Sequence, residues 1–323
     1  MDQRGLRAAT VRDRLPSPGP APLPRRESVW DAGQCPAHPN NRRKNVWGCH
    51  RRLDYHGRVR RAAIVRICVL ASSSAGNSIF IASPATRILI DAGLNRKQIL
   101  ARLEAIGEDA QCLDGILITH EHSDHVKGLP VLTRTNGMKA PVCATRGTAA
   151  AIDWGGPEPE VVVFQAGAEF EIGDLRIQSF TIPHDAADPV GFTVTIGKTK
   201  VSIVTDLGYL PNSVKWHLRD SQFILLESNH CPEMLRVGPY PWQVKQRILS
   251  RKGHLSNEAA SDYITDDEGL PEQTETLVLG HLSETNNSPW HVRLMADQAL
   301  QMCGKKPRLV VAEPRQQSEL FQL

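Results

Sequence analysis

The stretch THEHSDH at residues 119–125 places three histidines, a glutamate and an aspartate in six consecutive positions. Such residues seldom build a hydrophobic core, because a buried charge is costly unless it is paired or bound to a metal. Imidazole and carboxylate groups are, in contrast, ordinary ligands of divalent cations. We therefore interpret this stretch as a metal-binding loop, with a solvated polar loop as the alternative.

Five residues that could bind metal each follow an apolar, strand-like run. Asp91 follows RILI, His120 follows GILIT, His184 follows FTIP, Asp206 follows VSIVT and His281 follows LVLG. Strands that end at one edge of a sheet can bring the residues after them to one cleft. One such residue would be weak evidence, but five in one chain predict a shared site.

The loop can supply ligands to two neighbouring cations. His120 and His122 are two positions apart and can face one cation, whereas Asp124 and His125 can turn towards a second. Mixed imidazole and carboxylate ligation suits Zn²⁺, Mn²⁺ or Fe²⁺, and we predict two divalent ions, Zn²⁺ or Mn²⁺. A carboxylate can bridge two cations. The remaining ligands can come from three later residues, namely His184, Asp206 as the bridge, and His281.

Short apolar runs alternate with turn signals after residue 64 and predict the elements that position these residues. Two groups of strands, each followed by helices, predict two packed sheets with helices outside. Helices are predicted at 95–107, 211–219, 256–265 and 289–302. Strands are predicted at 64–70, 78–82, 87–92, 113–119, 161–164, 175–182, 191–196, 200–206, 223–228, 276–281 and 308–313.

Residues 1–64 differ in composition from the rest of the chain. They carry thirteen Arg and one Lys against five acidic residues, and residues 15–26 are proline-rich. Because no apolar periodicity is sustained there, we predict a disordered extension at 1–64 and one folded domain at 65–323. A valine codon can initiate translation in bacteria, so an alternative is that the native protein begins near Val65.

Charge and cysteine usage restrict the class of protein. Residues 65–323 carry 24 Lys and Arg against 30 Asp and Glu, a net charge of −6, which argues against a wholly basic nucleic-acid surface but allows a local basic patch. No run of 18 apolar residues occurs, which predicts no membrane span. Seven cysteines without a CxxC spacing fit a reducing cytoplasm.

The motif set as a whole resembles the metallo-β-lactamase superfamily. THEHSDH after a strand, with Asp91 upstream and three further ligands downstream, matches its five motifs over about residues 65–323. The resemblance implies an α/β fold, a four-layer αβ/βα sandwich with a dinuclear site along one sheet edge, and a role for Asp91 in orienting the ligand loop. It implies one metal on His120, His122, His184 and Asp206, and the other on Asp124, His125, Asp206 and His281.

Further stretches are similar to narrower groups within that superfamily. CVLASSSAGNS (68–78), HDAADPVGF (184–192), NHCPEML (229–235) and HLSETNN (281–287) resemble landmarks of the bacterial YycJ/WalJ-like group, which is regarded as nuclease-like. LLESNH (225–230) and GHLSNEAA (253–260) resemble the tRNase Z segments that place a glutamate and a catalytic histidine beside the metals, although no long exosite arm is recognisable. The small residues of 72–78 suit either an anion contact or a plain tight turn.

These resemblances predict a dinuclear metal-dependent hydrolase, a phosphodiesterase or nuclease acting on DNA or RNA through a metal-bound hydroxide. Its predicted catalytic residues are Asp124, His254 and Glu227. His254 would protonate the leaving oxygen and Glu227 would orient it. The alternative for His254 is a structural position at the start of the helix that Ser256 caps.

Two other functions remain open from the sequence. The same metals can hydrolyse a small ester, thioester, lactone or cyclic phosphodiester, since a fold does not fix a function. A metal-binding module without catalysis is the second, although the complete ligand set argues against it. Oligomeric state is left open. A nucleic-acid substrate would be favoured by cations beside the metals, with candidates Lys127, Arg134, Arg236, Lys245, Arg247 and Arg251.

Overall fold

Two β-sheets face each other in the computed structural model, which describes residues 28–29, 64–135 and 137–323. The strands of the first sheet are β1 Ser28–Val29, β2 Arg66–Ser73, β3 Gly76–Ala82, β4 Arg87–Ile90, β5 Gly115–Leu117, β6 Val142–Thr145, β7 Val161–Phe164 and, further along the chain, Phe321–Gln322. The strands of the second sheet are β8 Glu169–Ile172, β9 Leu175–Thr181, β10 Val190–Ile196, β11 Thr199–Val204, β12 Phe223–Glu227, β13 Thr276–Gly280 and β14 Arg308–Val311. The two-residue strand Phe321–Gln322, which belongs to the first sheet, is β15.

The strand order brings the ends of several strands to one edge of the sandwich. The first sheet has the order β1-β7-β6-β5-β4-β3-β2-β15, and β4, β5, β6 and β7 run parallel. The second has the order β14-β13-β12-β11-β10-β9-β8, and β11 to β14 run parallel. The carboxyl ends of β4, β5, β11, β12 and β13 are therefore available to build a shared site.

Helices cover the outer face of each sheet. The described helices are α1 Arg96–Ala105, α2 Ser123–Val126, α3 Leu129–Thr133, α4 Arg146–Ala151, α5 Asn212–Leu218, α6 Pro232–Val237, α7 Trp242–Ile248, α8 Asn257–Thr265 and α9 Pro289–Cys303, with a short 3₁₀ turn at Ala110–Cys112. Asn95 caps α1 as predicted, because its side chain accepts a hydrogen bond from the Gln98 amide at 2.9 Å. None of the described helices combines the length and apolar character needed to cross a bilayer.

Three apolar cores hold these layers together. The central core lies between the sheets and includes Ile81 and Phe192. The second joins the outer face of the first sheet to α1 through Ile99, and the third joins the second sheet to α8 and α9 through Tyr263 and Val292. Each fully buried side chain of this size contributes about 1.5–3 kcal/mol. The predicted four-layer αβ/βα sandwich is confirmed.

The predicted strands and helices all occur, with ends displaced by up to three residues. The sequence analysis did not predict β6, β8, β15 or the helices α2, α3, α4, α6 and α7. These elements have two to seven residues. The helices among them are too short for a helical apolar period to show. Within the predicted extension 1–64, only β1, which pairs in parallel with β7, and residue 64 are among the described residues, so the extension and its boundary stay predictions.

Candidate metal centre

The predicted metal-binding residues meet at one edge of the sandwich, where they follow strands of both sheets. Asp91 directly follows β4, and the loop that begins at His120 follows β5. From the second sheet, His184 follows β9, Asp206 follows β11 and His281 directly follows β13. The expectation that strand ends gather these side chains is therefore met by the geometry.

One group consists of three imidazoles. His120, His122 and His184 each offer a ring nitrogen, and these atoms lie within 4.8 Å of one another. The Nε2 atom of His184 is 3.1 Å from the Nδ1 atom of His122. The Nε2 atom of His120 is buried and has no hydrogen-bond partner among the described residues. An unpartnered buried nitrogen is costly, and a bound cation would satisfy it.

The second group contains two imidazoles and two carboxylates. Asp206 lies 3.2 Å from His125 Nε2 and 3.4 Å from His281 Nε2. Asp124 Oδ2 lies 3.4 Å and 3.3 Å from the same two nitrogens. Asp206 is also 3.9 Å from His184 Nε2 in the first group. The carboxylate of Asp206 thus stands between the two groups, as a bridging ligand would.

Four of these histidines are contacted at Nδ1 by a neighbouring oxygen, so that Nε2 faces the centre. Such outer contacts fix the orientation and tautomer of a metal-binding imidazole. His122 differs, since its Nδ1 atom faces the group. The Nδ1 contacts are Thr119 Oγ1 for His120 (3.0 Å), Asp91 Oδ2 for His125 (2.8 Å), the Gly253 carbonyl for His184 (3.2 Å) and Glu227 Oε1 for His281 (2.7 Å).

Asp91 holds the start of the ligand loop and one of its histidines. Its carboxylate accepts hydrogen bonds from the Thr119 backbone amide at 2.9 Å and from the Thr119 hydroxyl, and it contacts His125. The orienting role of Asp91 stays a prediction, and these contacts support it.

Three site residues have a left-handed backbone. Asp91, Asp206 and His281 have φ values of 61°, 63° and 54°, and Asp220 is the one other non-glycine residue with positive φ among those described. This conformation is unfavourable for residues with a Cβ atom and costs about 1–3 kcal/mol each. It lets the chain turn sharply where it leaves a strand. Its concentration here indicates a functional constraint.

The charges of the site favour a cation. Burial alone would lower the pKa of His125, but Asp206, Asp124 and Asp91 outweigh it and raise that pKa well above its usual value. Burial is likewise outweighed at His281, where Asp206 and Asp124 raise the pKa to about 10. At His120, burial and the neighbouring His125 lower the pKa, which keeps its ring neutral. A field that attracts protons this strongly attracts a divalent cation in their place.

The donor set therefore fits divalent metal. It combines imidazole nitrogens with carboxylate oxygens and includes no thiolate, which suits the borderline cations predicted from the sequence.

Glu227 connects the candidate metal centre to His254. Its Oε1 atom lies 2.8 Å from His254 Nδ1 and 2.7 Å from His281 Nδ1, while Oε2 accepts the amides of Leu207 and Leu255. Burial would raise the pKa of Glu227, but His254 and the hydrogen bonds from both histidines lower it to about 2. The sequence analysis expected the contact with His254 and missed the one with His281.

Two polar residues at the paired ends of β2 and β3, next to the turn that joins these strands, contact the centre and were also missed. The Asn77 amide nitrogen lies 3.0 Å from His125 Nε2 and 3.3 Å from Asp124 Oδ2. The Ser72 hydroxyl accepts a hydrogen bond from the His281 backbone amide at 2.8 Å. The small residues at 72–78 drew attention to this segment in the sequence. Their pattern did not indicate that the segment contacts the predicted metal ligands.

Gly93 lets the ligand loop approach this turn. A Cβ atom at Gly93 would lie 1.6 Å from the Asp124 carbonyl oxygen and 2.8 Å from the Asn77 amide nitrogen. Both obstacles are backbone atoms, which do not rotate away as a side chain does.

Gly93→Ala is therefore expected to displace Asp124, to lower metal content and to cost about 3 kcal/mol of unfolding free energy. Gly107→Ala is the control, because a Cβ atom there meets open space at a φ of +76° and costs roughly 1–2 kcal/mol of backbone strain. Denaturant unfolding and elemental analysis of both variants measure the two effects. Equal losses for the two variants would contradict the close approach.

Among the six basic candidates, Arg247 binds a residue next to a predicted ligand. Its guanidinium binds the Asp185 carboxylate, with Nη2 at 3.0 Å from Oδ1, and Asp185 follows the predicted ligand His184. Arg134 donates to the Trp154 carbonyl and Lys245 donates to the Arg236 carbonyl.

Comparison with known proteins agrees with this geometry. The family described as "Beta-lactamase superfamily domain" matches residues 86–281, which is more than half of the chain. The chain belongs to the metallo-β-lactamase superfamily. The matched range runs from the start of β4 to His281, so it contains every predicted metal ligand of this chain. The resemblance predicted from the motifs is confirmed.

Curated relatives of this superfamily member include two named exodeoxyribonucleases. "Exodeoxyribonuclease YycJ" of Bacillus anthracis is 37% identical over 243 residues, covering 73% of this chain and 89% of the relative. "Exodeoxyribonuclease WalJ" of Streptococcus pneumoniae serotype 2 (strain D39) is 37% identical over 224 residues, covering 68% and 82%. Among solved structures, the metallo-β-lactamase fold protein YhfI from Bacillus subtilis has a TM-score of 0.62 at 16% identity, covering 80% of this chain and 99% of that one.

Proposed function

We propose that this protein is a metal-dependent nuclease that hydrolyses phosphodiester bonds in DNA. The observation that carries the proposal is the pair of ligand groups around Asp206 with the Glu227–His254 pair beside them. The names of the two exodeoxyribonucleases that this chain resembles over most of their length support DNA as the substrate. The folded unit is proposed to span residues 65–323. A cytoplasmic location of the protein stays a prediction, which rests on the cysteine spacing.

We assign two divalent ions, Zn²⁺ or Mn²⁺, to the centre. When bound, two neighbouring cations lower the pKa of a water molecule and neutralise charge on the phosphate oxygens. His120, His122, His184 and Asp206 are proposed to hold one ion. Asp124, His125, Asp206 and His281 are proposed to hold the other.

Asp124 is suited to act on the attacking water as well as to bind metal. Its side chain is 21% exposed, whereas that of Asp206 is 2% exposed. Burial would raise its pKa, but His125 and His281 hold that pKa well below its usual range. Asp124 therefore stays a carboxylate that can accept a hydrogen bond from water and orient it.

His254 is proposed to protonate the leaving oxygen. Its Nδ1 atom faces Glu227, which leaves Nε2 for a substrate, and its side chain is 16% exposed beside the buried centre. The backbone amides of Leu207 and Leu255 fix the other oxygen of Glu227, so the carboxylate holds His254 rigidly. Ser256, two residues further on, caps α8, and this cap is compatible with the proposed catalytic role of His254.

A substrate panel tests this function. Purified protein supplied with Mn²⁺ or Zn²⁺ is expected to degrade DNA, to lose that activity in a chelator, and to regain it when metal is restored. The panel includes RNA, a p-nitrophenyl phosphodiester, a thioester and a lactone. Turnover of the thioester or lactone without cleavage of nucleic acid would contradict the proposal, as would bound metal without any turnover.

A further inference from the structure

The segment 232–252, which contains α6 and α7, is strongly basic within an acidic domain. It carries five cations, Arg236, Lys245, Arg247, Arg251 and Lys252, and one acidic residue, Glu233, for a net charge of +4. Residues 65–323 as a whole carry −6. Charge is therefore concentrated here with the sign that a polyanion requires.

The same segment exposes large apolar side chains. Helix α7 buries Ile248 alone. Trp242 is 62% exposed, Leu249 is 53% exposed and Val237 is 85% exposed. Trp242 lies in α7, Leu249 directly follows it and Val237 ends α6, so the exposed apolar groups are spread over both short helices. Exposed apolar groups that form a patch mark an interaction surface.

The backbone of this segment is joined to the metal centre. The Ile248 carbonyl accepts the His254 amide at 3.0 Å, and the Gly253 carbonyl contacts His184 Nδ1. A Cβ atom on Gly208, two residues after Asp206, would lie 2.4 Å from the Arg251 carbonyl carbon. The segment is thus packed tightly against the loops that carry the predicted ligands.

Two cations continue this surface to the edge of the centre. Arg247 binds Asp185, and the Arg251 guanidinium lies 4.0 Å from the Tyr209 ring centroid. Both arginines keep exposed positions. These two guanidinium groups therefore lie beside Asp185 and Tyr209, which follow the predicted ligands His184 and Asp206, and guanidinium groups are common phosphate-binding groups.

We propose that residues 232–252 form a docking surface for single-stranded DNA that leads into the metal centre, with Trp242 stacking on a base and Arg247 and Arg251 binding phosphates. This proposal rests on the proposed nuclease function. A single strand is chosen because its base faces are open to an aromatic ring, whereas a duplex hides them. Two aromatic residues, Tyr240 and Trp242, among five basic ones suit that ligand better than a protein partner, for which the exposed cations would need acidic complements.

Trp242→Ala in the full chain tests the stacking. Fluorescence anisotropy with a labelled oligodeoxynucleotide, in the presence of Ca²⁺ to prevent cleavage, measures Kd, and the KM for the same strand follows with Mn²⁺. Both are expected to rise about tenfold. Turnover of the p-nitrophenyl phosphodiester is expected to stay at the wild-type rate. Trp290→Ala is the matched control, since Trp290 is 70% exposed in the first turn of α9, and it is expected to bind DNA normally.

Arg247→Gln tests the phosphate contact. The slope of log Kd against log salt concentration is expected to become shallower by about 0.7, the value for one phosphate contact on a single strand. Arg219→Gln is the matched control, because the Arg219 and Arg247 side chains are each 52% exposed and each lies near one carboxylate. Its slope is expected to remain unchanged.

Several outcomes would overturn the docking surface. The first is an equal Kd for the Trp242 and Trp290 variants. The second is an equal loss of affinity of the Trp242 variant for blunt duplex DNA and for single-stranded DNA, and the third is a larger loss of its affinity for RNA than for DNA. The fourth is a change of oligomeric state in the Trp242 variant with unchanged DNA binding. The binding assay needs no turnover, so the surface is tested even if the protein cleaves nothing. Absence of cleavage by the wild-type protein would overturn the nuclease proposal alone.

Discussion

Asp206→Ala is expected to remove metal from both positions and to abolish hydrolysis. The carboxylate lies 3.2 Å and 3.4 Å from two imidazole nitrogens of one group and 3.9 Å from an imidazole of the other. No other carboxylate among the described residues reaches both groups at these distances. The loss of activity should therefore exceed the roughly 10–100-fold effect of a residue that only orients a ligand. Elemental analysis and DNA cleavage measure the two effects.

Asp220→Ala is the control for this variant. Asp220 has the same left-handed backbone, with a φ of 63°, and lies outside the centre, so it isolates the backbone effect of replacing aspartate there. Asp206→Asn keeps the shape and removes the charge, and it is expected to lose metal nearly as completely. Full occupancy of both positions in Asp206→Ala would contradict the bridging assignment, and loss at one position would reassign Asp206 to a single ion.

His254→Ala is expected to slow DNA cleavage by about 10²–10⁴-fold while both metals stay bound. An alkoxide is a poor leaving group in a nucleic acid unless it is protonated, and His254 presents a ring nitrogen beside the centre with Glu227 behind it. Cleavage of a p-nitrophenyl phosphodiester should fall much less, because its leaving group departs without a proton. The comparison of kcat on the two substrates is the measurement.

The two substrates separate chemistry from structure. Equal losses on both, or a loss of metal, would assign His254 to metal binding or folding. Glu227→Gln is a useful companion, because Glu227 also contacts His281. It is expected to slow both substrates and to weaken metal binding, a pattern that His254→Ala should not share.

Much of the site could be predicted because its residues stand directly after apolar strands. Asp91, His120 and His281 are recognisable from local sequence, since the strand before each is three to five residues of nearly unbroken apolar character. The contact of Glu227 with His281 joins residues 54 positions apart, and local sequence carries no sign of such a pair. Asn77 was missed for the same reason, because its partners lie 47 and 48 positions away.

The surface at α7 illustrates a different limit. The sequence shows its cations and Trp242 as separate residues. Whether their side chains are exposed depends on how a seven-residue helix packs, and tertiary structure decides that. The helix itself was not predicted, since Ile248 is its one buried residue and no apolar period can arise from a single position.

The division of the ligands between the sheets bears on how the protein comes apart. In each proposed set, two ligands follow β5 of the first sheet, and two follow strands of the second. A loaded centre would then act as two cross-links between the halves of the sandwich, at the edge where their shared apolar core ends. Separating the halves would require breaking coordination bonds together with that core. Metal would in this way raise the kinetic barrier to unfolding and keep the strand ends at the centre out of reach of proteases, beyond any part it takes in hydrolysis.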